Sequence, residues 1–347
     1  MRSATSLLDA PRVTPRTPGD PDPDGRAVLM APFLTVRIGI SSCLLGQKVR
    51  FDGGHKCDAF LVDTFGKFVD WVPVCPEVET GMGLPREAIR LLRVGSDIRL
   101  VGVKSATDHT ETMARWSARR VEALAREDLD GYILKKDSPS CGMERVKVYD
   151  ANLAPARTGR GVFAHALIAR LPLLPVEEEG RLSDPRLRDN FVERVFAYRR
   201  VRDLYSGRWT VGALVAFHTA HKLTLLAHSP DTFQSLGRLV ARAAGLSRAE
   251  VKAQYEEGFM RGLATLATPR KHVNVLQHML GYFRKVLDDE SRAELAGAVA
   301  DYQQGLVPLI VPVTLFRHHV RRCGVPYLAG QTYLDPHPKE LMLRNHA

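Results

Sequence analysis

The sequence predicts an α/β domain with a mostly parallel sheet, followed by an all-α domain. Three observations predict it. Short apolar segments at 36–40, 69–74 and 131–135, each closed by turn residues, read as buried strands. Segments of helical periodicity lie between and after them, and strands alternating with helices build mostly parallel, Rossmann-like sheets. From residue 186 onward nearly every segment reads as helix.

Taken in order, residues 1–32 are rich in Pro, Gly, Asp and Arg and predict a disordered tail. Strand 36–40 leads to Cys43 and to Val49-Arg-Phe-Asp-Gly-Gly-His-Lys56, where Asp52-Gly53-Gly54 marks a tight turn. Residues 57–67 suggest a short helix. Strand 69–74 leads to Cys75-Pro-Glu77 and a glycine-rich loop ending at Arg86. Two short apolar runs between Arg90 and Gly102 predict strands or a hairpin. Asp108 to Glu127 has helical spacing, with Met113, Trp116, Val121, Leu124 and Ala125 inward and Thr107 or Asp108 as the cap. Strand 131–135 leads to Ser138-Pro-Ser-Cys141-Gly142; a strand at 146–149 and a helix at 162–171 complete this part. Residues 172–190, rich in Pro and charge, read as a linker. Helices are predicted at 189–206, 210–226, 231–244, 247–266, 270–287, 290–307 and 312–322.

The 347 residues suit two domains, and a hydrophobic content of 45% supplies two cores. No apolar run reaches the roughly 18 residues of a membrane span. No apolar segment precedes a cleavage site at the N-terminus, so a cytoplasmic protein is expected. There, five cysteines form no disulfide scaffold and remain free thiols. The net charge of +10 is unevenly spread: residues 186–347 hold 23 Lys+Arg against 14 Asp+Glu, and 9 of the 12 histidines. A basic half joined to a near-neutral one suggests a polyanion-binding module attached to something else.

Cys43, Cys75 and Cys141 each follow a strand and sit in a turn. The C-terminal ends of parallel strands line the ligand crevice, so the three thiols should converge. Three thiolates suit zinc with an open position, or an iron–sulfur cube with one iron lacking a protein ligand. An open iron is a Lewis acid for a soft atom such as sulfur.

Cys43 with R-F-D-G-G-H-K behind it, C-P-E-V-x-x-G-M-G-L-P-R, and K-x-S-P-S-C-G together resemble the thiouracil desulfidase (TudS) family over roughly residues 35–170. Asp137 and Gly81-Met82-Gly83 are slight variants on its pattern. The resemblance implies a [4Fe-4S] cluster held by Cys43, Cys75 and Cys141, with the unique iron taking the substrate's thiocarbonyl sulfur. It implies Glu77 as catalytic carboxylate and Ser138 as catalytic serine. A carboxylate there can act as general base for water, and a hydroxyl can give a proton to the departing sulfur or the ring nitrogen. Asp52, His55 and Lys56 are candidates for substrate contact and Arg86 for a phosphate. Cys57 and Cys323 match no motif and read as ordinary thiols.

In the second half, His218 and His221 lie on one helix face, and Arg317-His-His-Val-Arg-Arg322 is strongly basic. Basic helices with Arg, His, Gln and Tyr suit phosphate and sugar better than a metal. H-T-A-H-K-L, H-V-N-V-L-Q-H-M-L-G-Y-F and Y-L-A-G-Q-T-Y-L resemble a helical domain of unassigned function often fused to desulfidase domains. The fusion resembles desulfidases acting on 4-thiouridine in tRNA. The expectation is an iron–sulfur desulfidase domain at 33–175 and a basic, tRNA-binding helical domain at 186–347, releasing sulfide by non-redox hydrolysis. Rival readings are a desulfidase of free thiouracil or thio-nucleotides, and a non-catalytic iron–sulfur RNA-binding protein.

Overall fold

The computed structural model describes residues 35–345. The expected tail, 1–32, lies outside them. The first sheet contains β1 (Val36–Ser41), β2 (Val69–Val74), β5 (Gly131–Leu134) and β8 (Val176–Glu178), in the order β2-β1-β5-β8 and all parallel. Central strands covered on both faces read as continuous apolar runs, and β1 and β5 are of this kind. Gly39 in β1 is required by packing, since a Cβ there would stand 2.2 Å from the Tyr132 ring.

A second sheet adds to the expected one. It contains β3 (Ile89–Val94), β4 (Asp97–Gly102), β6 (Val146–Tyr149) and β7 (Pro155–Gly159) in the order β4-β3-β6-β7. Its hairpins β3–β4 and β6–β7 are antiparallel and its central pair β3–β6 is parallel. The predicted helix at 57–67 is instead a π turn, Phe60–Thr64, running into a 3-10 turn, Phe65–Phe68.

Helices α2 (Thr110–Leu124) and α3 (Val162–Arg170) cover one face of the parallel sheet, burying Val121, Leu124, Phe163 and Leu167 against Tyr132 and Leu134. The short α1 (Pro76–Glu79) follows β2. The other face, Ile38, Ile40 and Ile133, is covered by Phe191, Val192 and Val195 of α4 (Pro185–Tyr205) and by Leu341 and Leu343. Residues 172–190 are therefore no free linker: they hold the sheet's fourth strand and the first turn of α4.

The helical half continues with α5 (Val211–His228), α6 (Pro230–Ala241), α7 (Arg248–Ala264), α8 (Pro269–Gly281), α9 (Asp289–Gln303), α10 (Ile310–Cys323) and α11 (Pro326–Ala329). Asp184, Thr210, Ser229, Ser247, Thr268 and Asp288 each cap a helix by accepting from a first-turn amide. Pro185, Pro230 and Pro269 occupy first helical positions, where a missing N–H costs nothing. No described helix is long and apolar enough to cross a membrane.

The two halves are clamped by charge as well as by apolar packing. Arg202 of α4 reaches Asp130 at 2.9 Å, and Arg199 reaches the same carboxylate at 3.7 Å. Asp130 is fully buried and also accepts from the Arg37 amide at 2.9 Å. Part of the helical half's positive charge is thus internal. Arg344 is buried beside Glu193, and Arg200 donates to the Pro336 carbonyl.

Six histidines of the helical half, His218, His221, His228, His272, His319 and His337, are buried. Of these, His218, His221, His272 and His319 lie on helices expected to meet phosphate and sugar; they are core groups instead. His218 meets the Tyr255 hydroxyl at 3.1 Å, and His272 meets the Tyr333 hydroxyl at 2.9 Å. Gln331 and Thr332 donate to the carbonyls of Thr219 and Ala220, so two of the second half's motifs lock onto each other.

Candidate active site

Cys43, Cys75 and Cys141 leave β1, β2 and β5, three adjacent parallel strands, at the ends that point the same way. Cys43 sits in a 3-10 turn, Ser42–Leu45; its carbonyl accepts from the Lys56 amide at 2.9 Å, folding the R-F-D-G-G-H-K segment back over it. Cys75 stands at the start of α1, and its amide donates to Glu79 at 3.1 Å. Cys141 lies in the turn after β5. Gly142 is needed beside it, because a Cβ would meet Val146 at 2.3 Å and the Ser138 carbonyl at 2.8 Å.

All three thiols are buried and line one cavity of about 390 Å³, together with Glu77 and Ser138. Glu77 Oε2 is 3.5 Å from Cys75 Sγ. Arg86 faces the same oxygen at 3.9 Å and is itself fixed by the carbonyls of Val49 and Gly83. Arg86 was a phosphate candidate by sequence; here it steadies Glu77. Lys56 lines the cavity, whereas Asp52 and His55 do not. Ser138 Oγ accepts from the amides of Ser140 (3.2 Å) and Cys141 (3.0 Å). Both lone pairs are then engaged and the O–H remains free to donate.

Burial raises the Cys43 thiol to about 11 against the pull of Lys135, and raises Cys75, with help from Glu77, to about 12. Burial pushes Cys141 up as well. Without a cation these groups are thiols, and metal loading must displace their protons. Arg50, Lys56, Arg86, Lys135 and Lys136 line the cavity against Glu77, Glu87 and Asp137, an excess of positive charge that suits an anionic guest.

Among the described residues no three His, Cys, Asp or Glu are grouped to hold a metal ion. That weighs against the zinc alternative. A four-iron cube differs, because each thiolate binds its own iron and the ligands stand apart around a volume. Three thiols share one cavity, with exposed Cys57 and Cys323 of α10 not among its lining residues, a donor set that suits such a group.

Sequence reasoning missed what holds the serine loop. Glu178 accepts from the Met143 amide at 2.6 Å, and Glu179 accepts from the Lys136 amide at 2.7 Å and pairs with Lys135. Glu177 pairs with Arg181, which also reaches Glu144. The three consecutive acids were the available signal.

The fold and the cavity define an α/β domain with a three-thiol site, joined to a helical domain. Residues 38–179 match the 2-thiouracil desulfurase family, and residues 222–338 match a family of proteins of unknown function, DUF1722. The uncharacterized protein YbgA of Escherichia coli (strain K12) is 33% identical over 161 residues, which span 46% of this chain and 95% of that protein. The uncharacterized protein YbbK of Bacillus subtilis (strain 168) is 30% identical over 137 residues, 37% of this chain and 87% of that protein. A solved structure described as the [4Fe-4S]-dependent thiouracil desulfidase TudS is 29% identical with a TM-score of 0.35, covering 43% of this chain and 93% of that one. The α/β half thus carries a 2-thiouracil-desulfurase-family domain, and the helical half is a distinct domain that matches DUF1722.

Proposed function

We propose that the protein is a [4Fe-4S]-dependent desulfidase that converts 4-thiouridine in tRNA to uridine and releases sulfide. The observation that carries this reading is the meeting of three thiols, Glu77 and Ser138 on one cavity at the ends of parallel strands. Cys43, Cys75 and Cys141 would hold the cluster, which when bound supplies a Lewis-acidic iron for the thiocarbonyl sulfur. The rest is done by this chain's residues. Glu77, steadied by Arg86, takes a proton from the attacking water. The free O–H of Ser138 donates to the departing sulfur or the ring nitrogen. A C–O bond forms, the C–S bonds break, and both water protons leave with sulfur as hydrogen sulfide, so no electron acceptor is required.

Residues 33–175 perform the chemistry in this reading and residues 186–347 grip the RNA. Support for the second part is a groove of about 380 Å³ beside α10, whose lining includes Arg317, Arg321, Lys339 and Arg344. Arg317 is paired with Asp335, which leaves Arg321 and Lys339 as the groove's freer cations. A reducing, cytoplasmic setting suits five free thiols.

The test is anaerobic: reconstituted protein is incubated with 4-thiouridine-containing tRNA or with free 4-thiouracil, and sulfide and nucleosides are measured. Glu77→Gln should keep its iron and lose turnover about 10²–10⁴-fold. Turnover of the free base alone moves the assignment to a small-molecule desulfidase. No sulfide from either substrate, with cluster present, refutes the enzyme reading.

A further inference from the structure

A second basic cleft, of about 380 Å³, opens on the outer edge of the mixed sheet. Arg145, Arg157, Arg160 and His165 line it, all exposed, and Glu144 is the one acid among its lining residues. Glu144 is turned to Arg181 at 2.9 Å, so it does little to neutralise the cleft. Strand β7 forms the sheet edge here, and its residues 155–158 are exposed.

The cleft begins at the rim of the three-thiol cavity. Arg157 pairs at 2.9 Å with Asp137, which lines that cavity and precedes Ser138. Arg160 donates at 2.9 Å to the carbonyl of Met143, two residues beyond Cys141. Lys136, exposed on the cavity side, continues the line of positive charge.

We infer that this cleft binds the phosphodiester backbone of an RNA strand next to the nucleotide seated in the cavity. The inference rests on the desulfidase reading and adds to it a track on the α/β half itself. A lone base needs no cation outside its pocket, and a mononucleotide's phosphate is served by the cations inside. A line of cations leading away from the cavity fits a polymer that continues past the reacting unit. Guanidinium groups match phosphate bidentately, and such contacts position a strand without reading its sequence.

The experiment uses the full, cluster-loaded chain with the double variants Arg145→Gln/Arg157→Gln and Arg145→Gln/His165→Gln. The second leaves the Arg157–Asp137 pair in place. Two quantities are read: kcat/KM for thiolated tRNA relative to free 4-thiouridine, and the salt dependence of affinity for unmodified tRNA by fluorescence anisotropy. The expected result is a ratio at least tenfold lower, and a log–log salt slope shallower by about one per lost phosphate contact. An unchanged ratio and slope in both variants overturns the inference. If the parent releases sulfide from neither substrate, the desulfidase reading fails separately. The salt slope then decides alone, and an unchanged slope overturns the RNA track.

Discussion

Removing one oxygen atom separates structure from chemistry at this site. Ser138→Ala strips an acceptor from two amides, those of Ser140 and Cys141. An orphaned buried donor costs about 1–3 kcal/mol. Ser138 is only half-buried at the cavity wall, where water can replace it, so the pair should cost about 2 kcal/mol in total. Against a stability of about 5–15 kcal/mol the protein stays folded, and its melting point should fall by a few degrees. Loss of the proton donor should instead slow turnover about 10²–10⁴-fold, or about 3–5 kcal/mol of barrier. The two effects differ enough to be read on one sample. Melting temperature, iron per chain and anaerobic sulfide release are measured together, with Ser138→Thr as the variant that restores a hydroxyl. A Ser138→Ala protein with full iron and sulfide release within about threefold of the parent would refute the donor role. Loss of iron along with activity would make the serine a builder of the cysteine turn.

Other outcomes follow from the same geometry. Cys57→Ala and Cys323→Ala should keep the iron content and brown colour of the parent, and bleaching of either would end the three-cysteine assignment. Asp130→Asn should destabilise the protein by about 1–3 kcal/mol in urea titration, because it weakens the hydrogen bonds to Arg202 and the Arg37 amide while Arg199 and Arg202 keep Asp203 and Asp128 as partners. Burial lowers His218 from 6.5 to about 4 and His221 and His272 to about 3. The unfolded chain therefore binds protons first, and stability should fall as pH drops below 6.5 towards those values, by about 1.4 kcal/mol per pH unit for each histidine. His272→Gln should flatten that slope by about one histidine's share, and an unchanged slope would contradict its neutral burial. Charge reversal at Arg321 and Arg322 should weaken tRNA binding and its salt dependence while free-base turnover stays constant; equal losses on both substrates would remove α10 from the RNA surface.

The strand–turn–cysteine units were legible because each couples an apolar run to a Ser, Pro or Gly turn, and adjacent parallel strands then bring the turns together. The helices were legible from spacing and from caps such as Asp184 and Ser229. Strand β8 was not. Val176-Glu-Glu178 reads as a solvated linker, and it is a strand because the turn beyond β5 and Arg181 satisfy its carboxylates. Strand β7 was hidden for the opposite reason: as an exposed edge it carries no alternating apolar signal. The basic half misled in part, since composition cannot distinguish Arg344, buried beside Glu193, from Arg322, exposed on α10. The burial of the histidines was hidden likewise, because a ring bonded to a tyrosine inside a helical core, as His218 and His272 are, has no local mark.

Leu341 and Leu343 pack in the same core as Ile38, Ile40 and Leu44, at the base of the Cys43 turn. The ribosome makes that turn early and these leucines some 300 residues later. While the chain is still growing, one face of the parallel sheet has only part of its cover, first from Leu61 and Phe65 and then from α4. The packing around Cys43 is finished only when residues 341–343 have emerged and docked, so a cluster of the kind proposed would be loaded after synthesis. Chains that stop short would keep a first thiol with part of its apolar cover missing.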